Sequence, residues 1–397
     1  MKGICRVLAK LLHGKTAPSM TGFDRIITDL MGKWGIPGGA VALAKDGRLV
    51  LAQGYGLADV ERQERVRPDS LFRIASVSKP ITAVAIFKLA EEKQLDLEAS
   101  AFHILDLSAL PNITADSKIY DITIRQLLLH SGGWDSSQGF DPMLISGTAA
   151  SEVGAPEPAT PEAIIRFMMG QPLDFDPGTR YAYSNFGYCV LGRVIEKVTG
   201  QTYSDYIRNQ VLRPLGIRQM RIGRSLLEHR AEGEVRYYDY AGAPLVQSVF
   251  PNIGGPVPFP YGGFHLEAMD AHGGWIASAI DLVRFITALD GSRPPAVLKP
   301  ESVSLMVSRP APPLWVEGEY YHGMGWLVRP MGDGANWWYG GLLPGTTAIL
   351  VRTYHGLAWA ALFNSRPEDW LRFHEELDYA LWQAVGEVAQ WPGHDLF

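Results

Sequence analysis

The sequence predicts an α/β fold of the α+β type: an antiparallel sheet flanked by helices, with a mostly helical domain inserted between its strands. Three observations carry this. Residues 38–60, "GGAVALAKDGRLVLAQGYGLADV", are two β-rich runs around Asp46-Gly47, a dipeptide whose tolerance of positive φ suits a tight hairpin turn. Residues 346–365, "TTAILVRTYHGLAWAALFNS", read as two further strands joined at His355-Gly356, and Trp370, Phe373, Leu377 and Leu381 then recur at helical spacing. Between these ends, residues 106–261 hold helical segments joined by Pro/Gly/Asp-rich connections such as "SEVGAPEPATP" and "VFPNIGGPVPFPYGG". Strands from the two ends are expected to share one sheet. Residues 20–105 and 262–397 then form the sheet domain, 106–261 the helical insertion domain, and 1–19 a short basic tail.

Composition excludes several classes of function. A chain of 397 residues, 47% hydrophobic, can bury a large core. Its net charge of −6 offers no basic field for phosphates, so no nucleic acid is expected as a partner. No stretch reaches the roughly 18 uninterrupted apolar residues of a membrane span. The opening "MKGICRVLAKLLHGKTAPSM" breaks its apolar run at Arg6 and Lys10 and lacks the core of a secretory signal, which points to a cytoplasmic protein. Two cysteines, Cys5 and Cys189, make neither a disulfide framework nor a cysteine zinc site.

Three stretches carry candidate chemistry. In "LFRIASVSKPITAVAIFKLAEEKQ" (71–94), Pro80 belongs near a helix start, and Ile81, Val84, Ala85 and Leu89 follow at helical spacing. Ser76 therefore sits at or just before the first turn, with Lys79 about one turn on and facing the same side. Burial and the positive end of the helix both push a lysine pKa below its usual value of about 10.4. A neutral Lys79 could take the proton of Ser76 and make it a nucleophile. By itself a Ser-x-x-Lys spacing also arises by chance in a chain this long, as a solvated helix end.

In "DPGTRYAYSNFGYCVLGRVIEKVTG" (176–200), Tyr183-Ser184-Asn185 lies on the loop entering a helix closed by Gly200. A tyrosine hydroxyl can relay protons beside such a lysine, and an asparagine amide can fix the lysine or hold a substrate carbonyl. Equally, Tyr183 could pack as an ordinary aromatic and Asn185 cap the helix. In "WWYGGLLPGTTAIL" (337–350), Gly340 and Gly341 run into a strand. They would admit close approach of a substrate to the backbone, or simply serve a hairpin entry.

Taken together, Ser76-Val77-Ser78-Lys79, Tyr183-Ser184-Asn185 and Tyr339-Gly340-Gly341 resemble, in that order, the three motifs of the serine β-lactamase and penicillin-binding-protein superfamily. The resemblance spans roughly residues 20–397 and includes "LLLHSGGW" and "AHGGWIASAIDLVRFI". It implies a β-lactamase-like fold with the active site in a crevice between the sheet and the inserted domain. It implies that Ser76 is acylated, that Lys79 is its base and that Tyr183 shuttles a proton to the leaving group. Asn185 would support the lysine and touch the substrate, and the backbone N–H groups of Ser76 and Leu342 would form the oxyanion hole. No cofactor and no metal enter this chemistry.

The third motif departs from β-lactamases and D-Ala-D-Ala peptidases, where a lysine and a hydroxyl residue help grip a substrate carboxylate. Tyr339 and Gly340 supply neither, and an aromatic residue before two glycines resembles the family VIII carboxylesterases. The expected partner is a small neutral ester. A β-lactamase, D-aminopeptidase, DD-peptidase or acyltransferase stands as the alternative. Arg366 could restore an anion site or form a surface ion pair. His130 and His272 carry less weight because the lysine and tyrosine fill the base roles. Trp134, Trp275, Trp337 and Trp338 suit core or pocket walls.

Overall fold

The computed structural model describes residues 20–107, 115–315 and 318–397. The basic stretch 1–19, with Cys5, lies outside them. Helix α1 (Thr21–Trp34) leads into strands β1 (Gly38–Lys45), β2 (Arg48–Asp59) and β3 (Glu64–Arg65). Helix α2 (Ser78–Glu91) follows, then, among other helices, α3 (Asn185–Thr199) and α4 (Ala279–Leu289). The chain returns to the sheet through β4 (Tyr321–His322), β5 (Leu327–Met331), β6 (Gly334–Leu343), β7 (Thr346–Arg352) and β8 (Leu357–Phe363). It then enters α5 (Trp370–Gly386).

The eight strands form one sheet in the order β4-β5-β6-β7-β8-β1-β2-β3, antiparallel throughout. The two chain ends meet where β1 pairs with β8, from Gly39 opposite Phe363 to Lys45 opposite Leu357. The Asp46-Gly47 turn is a tight one, with φ of 51° and 75° at its two residues and Lys45 opposite Arg48, as a primed hairpin turn requires. Both faces of the central strands are buried. Val41, Leu43, Trp359 and Phe363 pack with α1 and α5, while Ala40, Ala42, Ala360 and Leu362 pack with α4 and the larger core.

Helix α2, in which Ile81, Val84, Ala85 and Leu89 were read as turned toward a core, is buried at every residue from Ser78 to Phe87. It is apolar all round because it runs through the middle of the molecule. Trp370 shares the helical spacing of Phe373, Leu377 and Leu381, but only the latter three are buried, whereas Trp370 is 43% exposed. It lies in the first turn of α5 and borders a cavity shared with Leu327 and Gly340.

The segment 106–261 contains α3 and shorter helices at Ile124–Leu128, Ser146–Val153 and Pro161–Met169. It also contributes short strands to the rest of the molecule: Arg221–Ile222 pairs with Trp275–Ala277, and Tyr238–Asp239 pairs with Ser365–Arg366. Among the described residues no helix is long and apolar enough to cross a membrane.

Candidate active site

Ser76 stands half-buried in a 3₁₀ turn, Ala75–Val77, that feeds directly into α2. Ala75 holds φ at 47°, a left-handed conformation that costs a non-glycine residue free energy and persists only where surrounding contacts enforce it. One such contact is β6. A Cβ on Gly341 would lie 2.2 Å from the Ile74 carbonyl oxygen, so the missing side chain lets the strand close on the turn that carries Ser76. We therefore expect Gly341→Ala to cost about 1–3 kcal/mol by overpacking, read as a lower Tm, with turnover falling alongside as strand and turn separate.

Lys79 is one helical turn on and fully buried. Its Nζ lies 3.1 Å from Ser76 Oγ, 2.5 Å from the Tyr183 hydroxyl, 2.7 Å from Asn185 Oδ1 and 3.2 Å from the His272 carbonyl oxygen. The Tyr183 hydroxyl is itself 2.7 Å from Ser76 Oγ. Burial pulls the Lys79 pKa down to about 7, against the opposing pull of Asp141, while burial raises that of Tyr183. Near neutrality it is thus the lysine that gives up its proton and the tyrosine that keeps one. A neutral amine has two N–H donors and one lone pair. Asn185 Oδ1 and the His272 carbonyl can only accept, so they take the donors and leave the lone pair for the Ser76 or Tyr183 hydroxyl.

Local sequence explains why Asn185 is free for this. The cap of α3 is Ser184, whose side chain accepts from the Gly187 N–H at 3.1 Å, so Asn185 need not cap. Its amide is oriented by Asp141, which accepts from Nδ2 at 2.6 Å and turns Oδ1 toward Lys79. Asp141 and the His272 carbonyl were not found by sequence reasoning. Nothing in the spacing links Asp141 to Asn185, and a backbone oxygen leaves no trace in residue identity.

Two cavities meet at Ser76. One, about 230 Å³, is walled by Asp141, Leu144, Phe259, Met269, Leu343 and Arg366. The other, about 420 Å³, contains Tyr183 and is walled by His322, Leu327, Gly340, Trp370, Leu371 and His374. Leu342 borders both. Beyond Trp338, the outer edge of β6 has no pairing with β5, whose last partner is Leu327, so alternate backbone groups over 339–343 are open to the Ser76 side. Gly341 lines neither cavity, and its hydrogen faces Ile74. Tyr339 borders the larger cavity but is only 3% exposed. Among the described residues Arg366 comes no nearer to a carboxylate than 3.8 Å, at Asp239. Trp134, Trp275 and Trp337 are core residues. A larger hollow of about 1050 Å³ lies elsewhere, among Asp59, Arg67, Arg230 and Glu234, and none of the four meeting side chains reaches it.

A family model described as Beta-lactamase matches residues 23–381, and the chain belongs to that family. It is 33% identical over 202 residues to Protein flp of Staphylococcus aureus (strain COL), an alignment covering 50% of this chain and 38% of that one. The match thus spans well under two thirds of that relative's own length. The structure matches an octameric penicillin-binding protein homologue from Pyrococcus abyssi with a TM-score of 0.69 at 25% identity, covering 94% of this chain and 79% of that chain. It matches the D-amino acid amidase of Ochrobactrum anthropi SV3 with a TM-score of 0.71 at 24% identity, covering 94% and 100%. The fold is β-lactamase-like, a large antiparallel sheet flanked by helices.

Proposed function

We propose that this protein is a serine hydrolase that cleaves neutral carboxylic esters through an acyl-enzyme on Ser76, in the manner of family VIII carboxylesterases. Lys79, neutral and with its lone pair free, takes the Ser76 proton as Oγ bonds to the ester carbonyl carbon. The backbone N–H groups of Ser76 and Leu342 hold the oxyanion. The C–O bond to the alcohol then breaks, Tyr183 gives its proton to the departing oxygen and regains one from the Lys79 ammonium. Water, deprotonated by the same pair, releases the acid. Because Tyr183 belongs to the larger cavity, that cavity receives the alcohol and the smaller one the acyl group. Their walls come from 106–261 (Asp141, Leu144, Phe259) and from the sheet-bearing remainder (Ser76, Leu342, Trp370), which supports reading 106–261 as the inserted domain.

The observation that carries the ester reading is Tyr339-Gly340. Where relatives present a cation and a hydroxyl to a carboxylate, this chain has a buried phenol and a glycine, and Leu327, Leu342, Trp370 and Leu371 stand beside His322 and His374 in the wall of the alcohol cavity. One observation favours a second reading. The Asp141 carboxylate on the acyl wall could pair with the ammonium of an aminoacyl amide, the substrate class named for the Ochrobactrum anthropi amidase. Steady-state kinetics on p-nitrophenyl esters of increasing chain length, beside nitrocefin and D-Ala-p-nitroanilide, separate the two: the ester reading expects the esters to lead, and faster anilide cleavage would replace it.

The pH dependence follows from the lysine. Around Lys79, burial holds His130, His272 and His322 neutral, the last with its pKa down at about 3, and keeps Tyr181 and Tyr188 protonated, while Asp141 faces the group as the carboxylate that raises its pKa. A base works when deprotonated, so kcat/KM for p-nitrophenyl butyrate should rise with pH through about 7. A pH–rate profile whose limb falls below about pH 5, in carboxylate territory, would assign the base elsewhere.

A further inference from the structure

Arg366 brings to the acyl cavity a cation that the chemistry at Ser76 does not use. It lies on the short strand Ser365–Arg366, whose backbone is fixed on two sides. The strand pairs with Tyr238–Asp239, and the Ser365 carbonyl accepts from Thr347 Oγ1 of β7 at 3.0 Å. The residue is thereby held at the wall of the cavity of about 230 Å³ that contains Ser76.

The protein leaves this guanidinium without an acceptor. Among the described residues its nearest carboxylate contact is Nη2 to Asp239 Oδ1 at 3.8 Å, beyond hydrogen-bond distance, and that oxygen accepts instead from the Tyr240 N–H at 3.0 Å. Nε is buried and makes no hydrogen bond. The side chain is only 23% exposed, so much of a group with five N–H donors is withdrawn from water with no protein acceptor in return. An acceptor supplied by a ligand would satisfy donors whose desolvation the fold has met in advance.

The kind of acceptor follows from the charges nearby. Among the described residues Asp141 and Arg366 are the charged side chains that line this cavity, Asp239 lies 3.8 Å from Arg366, and Lys79 works as a neutral base. One positive charge thus stands among two negative ones, and a substrate carboxylate would enter against a net negative field. A neutral oxygen meets the same donors without that repulsion. Leu144, Phe259, Met269 and Leu343 of the same wall suit the carbon chain between the ester and that oxygen.

We propose that the acyl group of the substrate carries a neutral oxygen acceptor, a ketone or a hydroxyl, a few bonds from the ester carbonyl, and that Arg366 binds it. The proposal rests on the ester reading and names the substrate class for it.

Ethyl levulinate, ethyl isocaproate and monoethyl succinate present acyl groups of nearly one shape that end in a ketone, a branched alkyl group and a carboxylate. In the wild-type enzyme we expect kcat/KM for ethyl levulinate to exceed that for ethyl isocaproate by at least about tenfold, the scale of one hydrogen bond to a charged donor, with monoethyl succinate below ethyl levulinate. Arg366→Met, which keeps the length of the side chain and removes its donors, should bring the ratio of the first two close to one, and Arg366→Lys should retain part of it. The wild-type ratio decides the matter even if Arg366→Met does not fold. A wild-type ratio near one would overturn the proposal, as would a preference that survives in Arg366→Met. Monoethyl succinate as the best of the three would make Arg366 an anion site and overturn it too. Failure of the ester reading looks different: neither these esters nor p-nitrophenyl butyrate would be turned over in a way that Ser76→Ala abolishes, and this proposal would fall with it. Equal, Ser76-dependent turnover of all three ethyl esters would remove only the role of Arg366.

Discussion

Ser76→Ala is expected to lower turnover of p-nitrophenyl butyrate by roughly 10⁴–10⁶-fold, because members of a nucleophile unit act together and removal of the nucleophile forfeits what the others contribute. The same variant should lose covalent labelling by a fluorophosphonate. Ser76 contributes a single hydroxyl at the half-buried mouth of the two cavities, and its deletion leaves the turn and α2 their apolar contacts, so the melting temperature should stay close to that of the parent. Labelling that persists at full extent in Ser76→Ala would mean that another residue is the nucleophile.

The second large effect is one of selectivity. Short p-nitrophenyl esters should exceed nitrocefin in kcat/KM by at least about 10³, the scale of about 4 kcal/mol. Each charge-assisted hydrogen bond to a substrate carboxylate is worth about 1.5–3 kcal/mol, and Tyr339 and Gly340 offer neither of two. Nor can a hydroxyl simply be restored at Gly340, since a Cβ there would meet His374 at 2.9 Å. The burial of Tyr339 and the closeness of Gly340 to His374 of α5 thus bear on selectivity through one strand. Nitrocefin turnover within about tenfold of the ester would move the β-lactamase reading to first place.

How much of this was legible in the chain depends on the distance over which the physics acts. The hairpin at Asp46-Gly47, the close of α3 at Gly200 and the juxtaposition of Ser76 with Lys79 are decided within a few residues, and there residue type and spacing suffice. That Tyr183 meets a serine 107 positions away could be read only from the resemblance to a known superfamily. The inward face of α5 was visible in Phe373, Leu377 and Leu381, but Trp370 carries the same period and borders the cleft, because periodicity says which residues share a face and not what covers each of them. The glycines of β6 were read as room for substrate. At Gly341 the room is used by the Ile74 carbonyl, a contact set by how a strand and a turn from distant parts of the chain pack. Asp141 acts by orienting Asn185, and such a role has no signature in sequence pattern.

The most direct test of the account is to mix the enzyme with p-nitrophenyl butyrate, quench in acid at successive times and measure intact mass, followed by peptide mapping. The account predicts a transient species heavier by one butyryl group, located on Ser76 in the peptide that spans α2, and absent in Ser76→Ala. Steady turnover with no adduct in wild type, or an adduct mapped to a different residue, would contradict it.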